Sequence, residues 1–125
     1  MSMELAGRRI LVVEDESLVA MLLETILEDL GCETVGPVSS VAEALEVIAG
    51  DDRLDGGLLD VNVAGVEIFP VAAELEARGV PFVFSTGYGE GGLPDEWKGR
   101  ITLQKPFTEV AVQQALHKAI AGSKT

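Results

Sequence analysis

The sequence predicts an α/β domain, a doubly wound sheet of five parallel strands with helices on both faces. Short apolar runs alternate with amphipathic stretches at helical spacing, the pattern of repeated strand–helix units. Polar residues stand where those runs end: Asp15 after Ile10–Val13 and Glu14, Asp60 after Leu58-Leu59, Thr86 after Phe82–Ser85, and Lys105 after Ile101–Gln104. In an open parallel sheet, the edge formed by the strands' C-terminal ends is where ligands bind. Finally, 125 residues with 47% hydrophobic content suffice for one core, and so for an ordered chain despite a net charge of −12.

The elements follow in order. Ile10–Val13 is the first strand. Ser17–Leu30 is an amphipathic helix, with Val19, Leu22, Leu23, Ile26, Leu27 and Leu30 on one stripe and Gly31 placed to close it. Thr34–Gly36 forms a second strand that Pro37 ends, and Ser39 or Ser40 caps a helix over Val41–Ala49. A third strand runs through Leu58-Leu59-Asp60. Ile68–Arg78 is helical with Pro70 in its first turn, and Gly79 closes it. Val80–Ser85 and Ile101–Gln104 are the fourth and fifth strands, and Thr108–Ala121 is the last helix. Between them, 87–99 holds too many glycines for a full helix, and a single turn over Pro94–Trp97 is expected. Five strands in this alternation fit the flavodoxin-like order 2-1-3-4-5 with right-handed crossovers and a short or irregular fourth helix. The divisions are an N-terminal tail over 1–8, one domain over 9–121 and a frayed tail over 122–125.

Composition excludes several function classes. The excess of acids argues against nonspecific nucleic-acid binding, which needs Lys and Arg to neutralise phosphates. No apolar stretch approaches the roughly 20 residues of a membrane span, and the N-terminus lacks a signal-peptide core. Cys32 is the only cysteine, which rules out an intramolecular disulfide and fits a cytoplasmic location. Cys32 reads as core, as do Phe69, Phe82, Phe84 and Phe107. His117 lies outside the strand-end cluster, and Trp97 reads as an anchor for the glycine-rich segment.

The strand-end chemistry is more specific. In a 2-1-3 order, Glu14, Asp15 and Asp60 come together, and crowded carboxylates are relieved most simply by a hard divalent cation. Magnesium suits one or two carboxylates plus phosphate oxygens. Asp15 and Asp60 are expected to bind it directly, Glu14 through water, and the backbone carbonyl of Asn62 as a further ligand. Asp60 is the candidate nucleophile, since a carboxylate can attack a phosphoryl group to give an acyl phosphate. Such transfer relies on positioning and charge neutralisation. Lys105 and the Thr86 hydroxyl are placed to hold phosphoryl oxygens, and Gly87 leaves space for a donor.

In order and spacing, Glu14-Asp15, Asp60, Thr86 and Lys105-Pro106-Phe107 resemble the receiver domain of two-component response regulators, from Arg9 to about Ala121. The resemblance implies magnesium-dependent transfer to Asp60 from a phosphohistidine on a histidine kinase or histidine phosphotransfer protein, then slow hydrolysis. It implies a phospho-accepting signalling domain rather than an enzyme. Pro81–Gly89 is similar to the "FAT GUY" subgroup of single-domain receivers, associated with alphaproteobacterial stress signalling, with Ser85 where Ala is usual. Three positions depart from the family pattern. Glu14 replaces the commoner Asp, Val63-Ala64 replaces Met-Pro, and Thr102 stands where most receivers carry a switch aromatic. Two roles stay open for Tyr88. With Gly87 and the glycine-rich loop it replaces the missing switch aromatic, reordering as Thr86 moves toward the phosphate, or it packs its ring to anchor a loop.

With the chain ending after its last helix, a stand-alone receiver is expected. It would signal by contact with an unknown downstream protein or serve as a phosphate shuttle or sink. A haloacid-dehalogenase-type phosphohydrolase is the alternative, because Leu58–Val63 resembles its D-x-D-x-[TV] motif, with Asn62 in place of the general acid. A flavodoxin-type electron carrier is disfavoured, since Glu14-Asp15-Glu16 would repel a flavin phosphate.

Overall fold

The computed structural model describes residues 5–87 and 93–122. Its central sheet uses β1 (Arg9–Val13), β2 (Glu33–Val38), β3 (Gly56–Asp60), β6 (Phe82–Thr86) and β7 (Thr102–Gln104). These pair in the order β2-β1-β3-β6-β7, all parallel. Two short strands, β4 (Asn62–Val63) and β5 (Val66–Glu67), form a separate antiparallel hairpin. With those set aside, the observed order is the predicted one.

Alternation along the strands divides the core in two. Ile10, Val12, Leu58, Val83 and Leu103 face α1 (Ser17–Asp29) and α4 (Glu109–Gly122). Leu11, Val13, Leu59, Phe82 and Phe84 face α2 (Val41–Gly50) and α3 (Phe69–Ala77). Covered on both faces, β3 and β6 are buried along their whole length, and their polar residues Asp60, Ser85 and Thr86 stand at their C-terminal ends. All strand C-termini therefore emerge at one edge.

The helix ends obey local rules. Gly31 lies in the left-handed region at φ 84°, where its N–H donates to Glu28 O while Cys32 N–H donates to Leu27 O. Gly79 repeats this at the end of α3, with its N–H on Glu76 O and Val80 N–H on Leu75 O. Both pairs satisfy carbonyls the helix leaves open. Ser40 caps α2, its Oγ accepting from Glu43 N–H at 3.1 Å, while the Glu43 carboxylate accepts from Ser39 N–H at 3.2 Å.

The structure differs from the sequence reading in three places. Pro37 does not end the second strand, which runs to Val38 through a cis Gly36–Pro37 bond, and its register against β1 shifts between Leu11 and Val13. β2 is an edge strand, where a missing N–H and an irregular register cost little. Gly36 is required at that shift, because a Cβ there would lie 2.7 Å from the Val38 nitrogen. The β4–β5 hairpin is the second difference, since two-residue strands carry no periodic signal. Thirdly, Leu5, within the segment set apart as a tail, is buried among the α1–α4 core residues, and Gly7 N–H donates to Gly31 O at 2.8 Å. The expected turn near Pro94–Trp97 is a single 3₁₀ turn at Asp95–Trp97.

Trp97 is buried in an aromatic cluster, stacked on Phe69 at 6.0 Å and edge-on to Phe82 and Phe84 at 6.1 and 5.9 Å. The Arg100 guanidinium covers its ring at 4.9 Å and pairs with Glu76 at 2.7 Å. The indole thus fastens the 3₁₀ turn to the sheet, the anchoring role read from sequence.

The hairpin turn yields a stability test. Both central residues have positive φ, 52° at Ala64 and 83° at Gly65, the signature of a two-residue turn that matches strand twist. Alanine is disfavoured there, whereas asparagine tolerates it. Ala64→Asn is expected to stabilise the fold by about 0.5–1 kcal/mol in urea unfolding. A loss of stability would contradict the turn assignment.

Candidate functional site

The C-terminal edge of the sheet gathers the residues that sequence placed at strand ends. Glu14 follows β1 and is held by its own N–H donating to Val38 O at 3.0 Å. Asp60 is the last residue of β3, and Val61 N–H donates to Ser85 O at 3.1 Å to fix the following turn. Thr86 ends β6, and Lys105 N–H donates to Thr86 O at 3.0 Å, extending the β6–β7 ladder one residue past the strand. Backbone pairing, rather than side-chain affinity, sets these positions.

Glu14, Asp15 and Asp60 form a cluster in which one carboxylate oxygen from each lies within 4.8 Å of the others. Glu14, Asp60 and Thr86 are buried, whereas Asp15 is exposed. Among the described residues one cation meets Glu14 and Asp60: Lys105 Nζ lies 3.2 Å from Glu14 Oε1, 3.4 Å from Asp60 Oδ2 and 3.6 Å from Glu16 Oε1. Burial by itself would lower the Lys105 pKa, but the charges of Asp60 and then Glu14 outweigh it and raise the pKa. Glu14 is raised, first by burial and further by the Asp60 charge. Its hydrogen bond from Glu16 N–H at 3.0 Å opposes the rise.

This edge opens into a cleft of about 610 Å³ lined by Asp15, Glu16, Asp60, Val61, Asn62, Glu67, Thr86, Gly87 and Lys105. Among the described residues, a Cβ added at Gly87 would meet nothing within 4 Å on the rim beside Thr86. Asn62 lines the cleft, with its side-chain Oδ1 accepting from Gly65 N–H at 3.0 Å. Thr102 does not line this cleft. It is half-buried in β7 opposite Phe84 and lines a different groove between β7 and α4. Tyr88 lies outside the described residues. His117 is exposed on α4 and does not line the cleft.

A divalent cation fits the donor set. Three carboxylates supply hard oxygens, and Glu14 Oε1 is buried without an aligned hydrogen bond, despite its closeness to the Lys105 charge. Buried lone pairs of that kind call for a partner.

Two cleft residues escaped the sequence reading. Glu16 reads in the sequence only as a third acid in a row, yet it is one of three carboxylates around Lys105. Glu67 reaches the rim because the hairpin folds back and pairs it with Asn62. Val63-Ala64-Gly65-Val66 was the available signal, a glycine-containing two-residue turn between β-branched residues.

Comparison with known proteins agrees with this geometry. A family model described as the response regulator receiver domain matches residues 10–117. The phyllosphere-induced regulator PhyR of Methylorubrum extorquens is 31% identical over 114 residues, covering 89% of this chain and 43% of that protein. The chain spans about half the length of the curated relatives it matches. The solution structure of SdrG from Sphingomonas melonis Fr1 superimposes with a TM-score of 0.81 at 40% identity, over 96% of this chain and 99% of that one. The receiver domain of a sensor histidine kinase from Pseudomonas aeruginosa PAO1, with a magnesium ion coordinated in its active site cleft, has a TM-score of 0.80 at 26% identity. That match covers 93% of this chain and 99% of the other.

Carboxylate crowding generates a prediction. With its pKa raised in the folded state, Glu14 folds more readily protonated than charged. Its penalty is absent below the ordinary glutamate value and grows as pH rises through the raised one. Glu14→Gln should raise the thermal midpoint in EDTA by roughly 2–5 °C at neutral pH. The gain should vanish in acid, and the variant should gain less from added magnesium than the parent. An equal gain at both pH values would contradict the assignment.

Proposed function

The chain belongs to the response regulator receiver domain family, and from that premise we propose that it accepts a phosphoryl group on Asp60 from a phosphohistidine. The donor is a histidine kinase or a histidine phosphotransfer protein. The observation that carries this reading is the placement of Asp60, buried at the end of β3, between the Glu14–Asp15 acids and the Lys105 ammonium at 3.4 Å.

Each residue has a physical task. An Asp60 carboxylate oxygen bonds to phosphorus as the bond from phosphorus to the donor nitrogen breaks and its electron pair leaves with the imidazole. Glu14, Asp15, Asp60 and the backbone carbonyl of Asn62 would hold magnesium, which supplies charge neutralisation for the transferring group. Lys105 exchanges a carboxylate partner for a phosphoryl oxygen, which costs little because its ion pair with Asp60 is already partly desolvated. The Thr86 hydroxyl bonds a further phosphoryl oxygen at the rim beside Gly87. Water then hydrolyses the acyl phosphate slowly.

The signal leaves through the segment that follows Thr86. Motion of Thr86 toward the phosphoryl group would carry Gly87 and Tyr88 with it, in place of an aromatic at Thr102. The domain over 9–121, with Leu5 packed into its core, acts as the phospho-accepting unit, and the output is a protein contact or onward phosphate transfer. Similarity to SdrG and PhyR supports a signalling role rather than turnover. The phosphohydrolase alternative gains no support, since Asn62 is an amide with its oxygen already taken by Gly65 N–H.

Intact mass after incubation with acetyl phosphate and magnesium should show one added phosphate. Asp60→Asn should lose it, EDTA should prevent it, and Lys105→Ala should slow its appearance at least tenfold. Undiminished labelling of Asp60→Asn would overturn the assignment.

A further inference from the structure

The cleft around Asp60 is lined largely by acids. Besides the Glu14–Asp15–Asp60 cluster, Glu16 and Glu67 line or border it, and Lys105 is its one cation among the described residues. Lys105 is already shared among Glu14, Asp60 and Glu16. Glu67 has no ion-pair partner among the described residues. It is exposed, and the hairpin register opposes it to Asn62, two residues beyond Asp60. Strand spacings then put its backbone on the order of 10 Å from that of Asp60. At that range, an uncompensated charge acts on whatever enters the cleft.

We propose that Glu67 is a donor-selecting residue, whose carboxylate at the rim slows phosphorylation of Asp60 by free dianionic donors and spares donors whose leaving nitrogen carries positive charge. This deepens the Asp60 reading and rests on it. Two small donors separate the cases. Acetyl phosphate enters as a dianion. An Asp60 oxygen bonds to phosphorus, the phosphorus–oxygen bond to the acyl group breaks, and acetate leaves with the electron pair. Phosphoramidate enters with a protonated nitrogen and a lower net charge. Its phosphorus–nitrogen bond breaks, and ammonia leaves with the electron pair. The phosphoramidate nitrogen stands for the imidazole nitrogen of a phosphohistidine. A single carboxylate acting through water on a dianion is worth about three- to fivefold in rate at low salt, and screening removes it at high salt.

The test measures Asp60 labelling rates by intact mass for the parent chain and Glu67→Gln, with saturating magnesium, each donor, and low or high ionic strength. Expected in Glu67→Gln is an acetyl phosphate rate about three- to fivefold higher at low salt, a smaller change with phosphoramidate, and a difference that closes at high salt. An equal change for both donors, or no change with acetyl phosphate, overturns donor selection while leaving Asp60 as acceptor. Failure of the parent chain to label with either donor overturns the Asp60 reading and this inference together.

Discussion

Everything at the site depends on one electrostatic constraint. Three carboxylates are forced together at the sheet edge, and among the described residues one lysine pairs with the two buried ones. Glu14 and Asp60 are delivered by adjacent strands β1 and β3, paired from Ile10–Gly56 to Val13–Leu59, so their approach is set by backbone hydrogen bonding. The side chains must accept the repulsion that follows. Lys105 relieves part of it, at 3.2 Å from Glu14 and 3.4 Å from Asp60. A cation at this edge would relieve the repulsion that Lys105 leaves, so crowding that costs stability would contribute to cation affinity.

The fold serves that constraint by being rigid where it matters. β3 and β6 are buried throughout, covered by α1 and α4 on one face and by α2 and α3 on the other. The aromatic cluster of Phe69, Phe82, Phe84 and Trp97 packs beneath β6, whose last residue is Thr86. Phe84 therefore connects the buried anchor to the hydroxyl at the cleft through two residues of strand. That short mechanical path makes the end of β6 a natural place for a change in the cleft to be felt. Arg100, over Trp97 and paired with Glu76, ties the same cluster to α3.

Much of this was legible in the residues. Apolar runs gave β1, β3 and β6, because a doubly covered strand has no solvent face to mark, whereas β7 shows only Leu103 buried between Thr102 and the exposed Gln104. Gly31 and Gly79 marked helix ends, because a left-handed residue is needed to cap the last carbonyls. Asp15, Asp60, Thr86 and Lys105 could be placed at one edge once the strands were parallel. What escaped was irregular or non-local. Pro37 stays within β2 because an edge strand tolerates it. The β4–β5 hairpin is too short for periodicity, and it alone brings Glu67 to the cleft. Glu16 revealed its pairing only when Lys105 was positioned across the sheet. The switch role read for Tyr88 falls outside the described residues.

The central claim is that Asp60, and no other acid in the cluster, forms the acyl phosphate. Borohydride reduction of the chain after phosphorylation, followed by peptide mapping, reads this directly, since reduction of an acyl phosphate converts that aspartate to homoserine. The account predicts homoserine at position 60 alone, dependent on prior phosphorylation. Homoserine at position 15, or an unmodified Asp60 in a chain that carries phosphate, would contradict it.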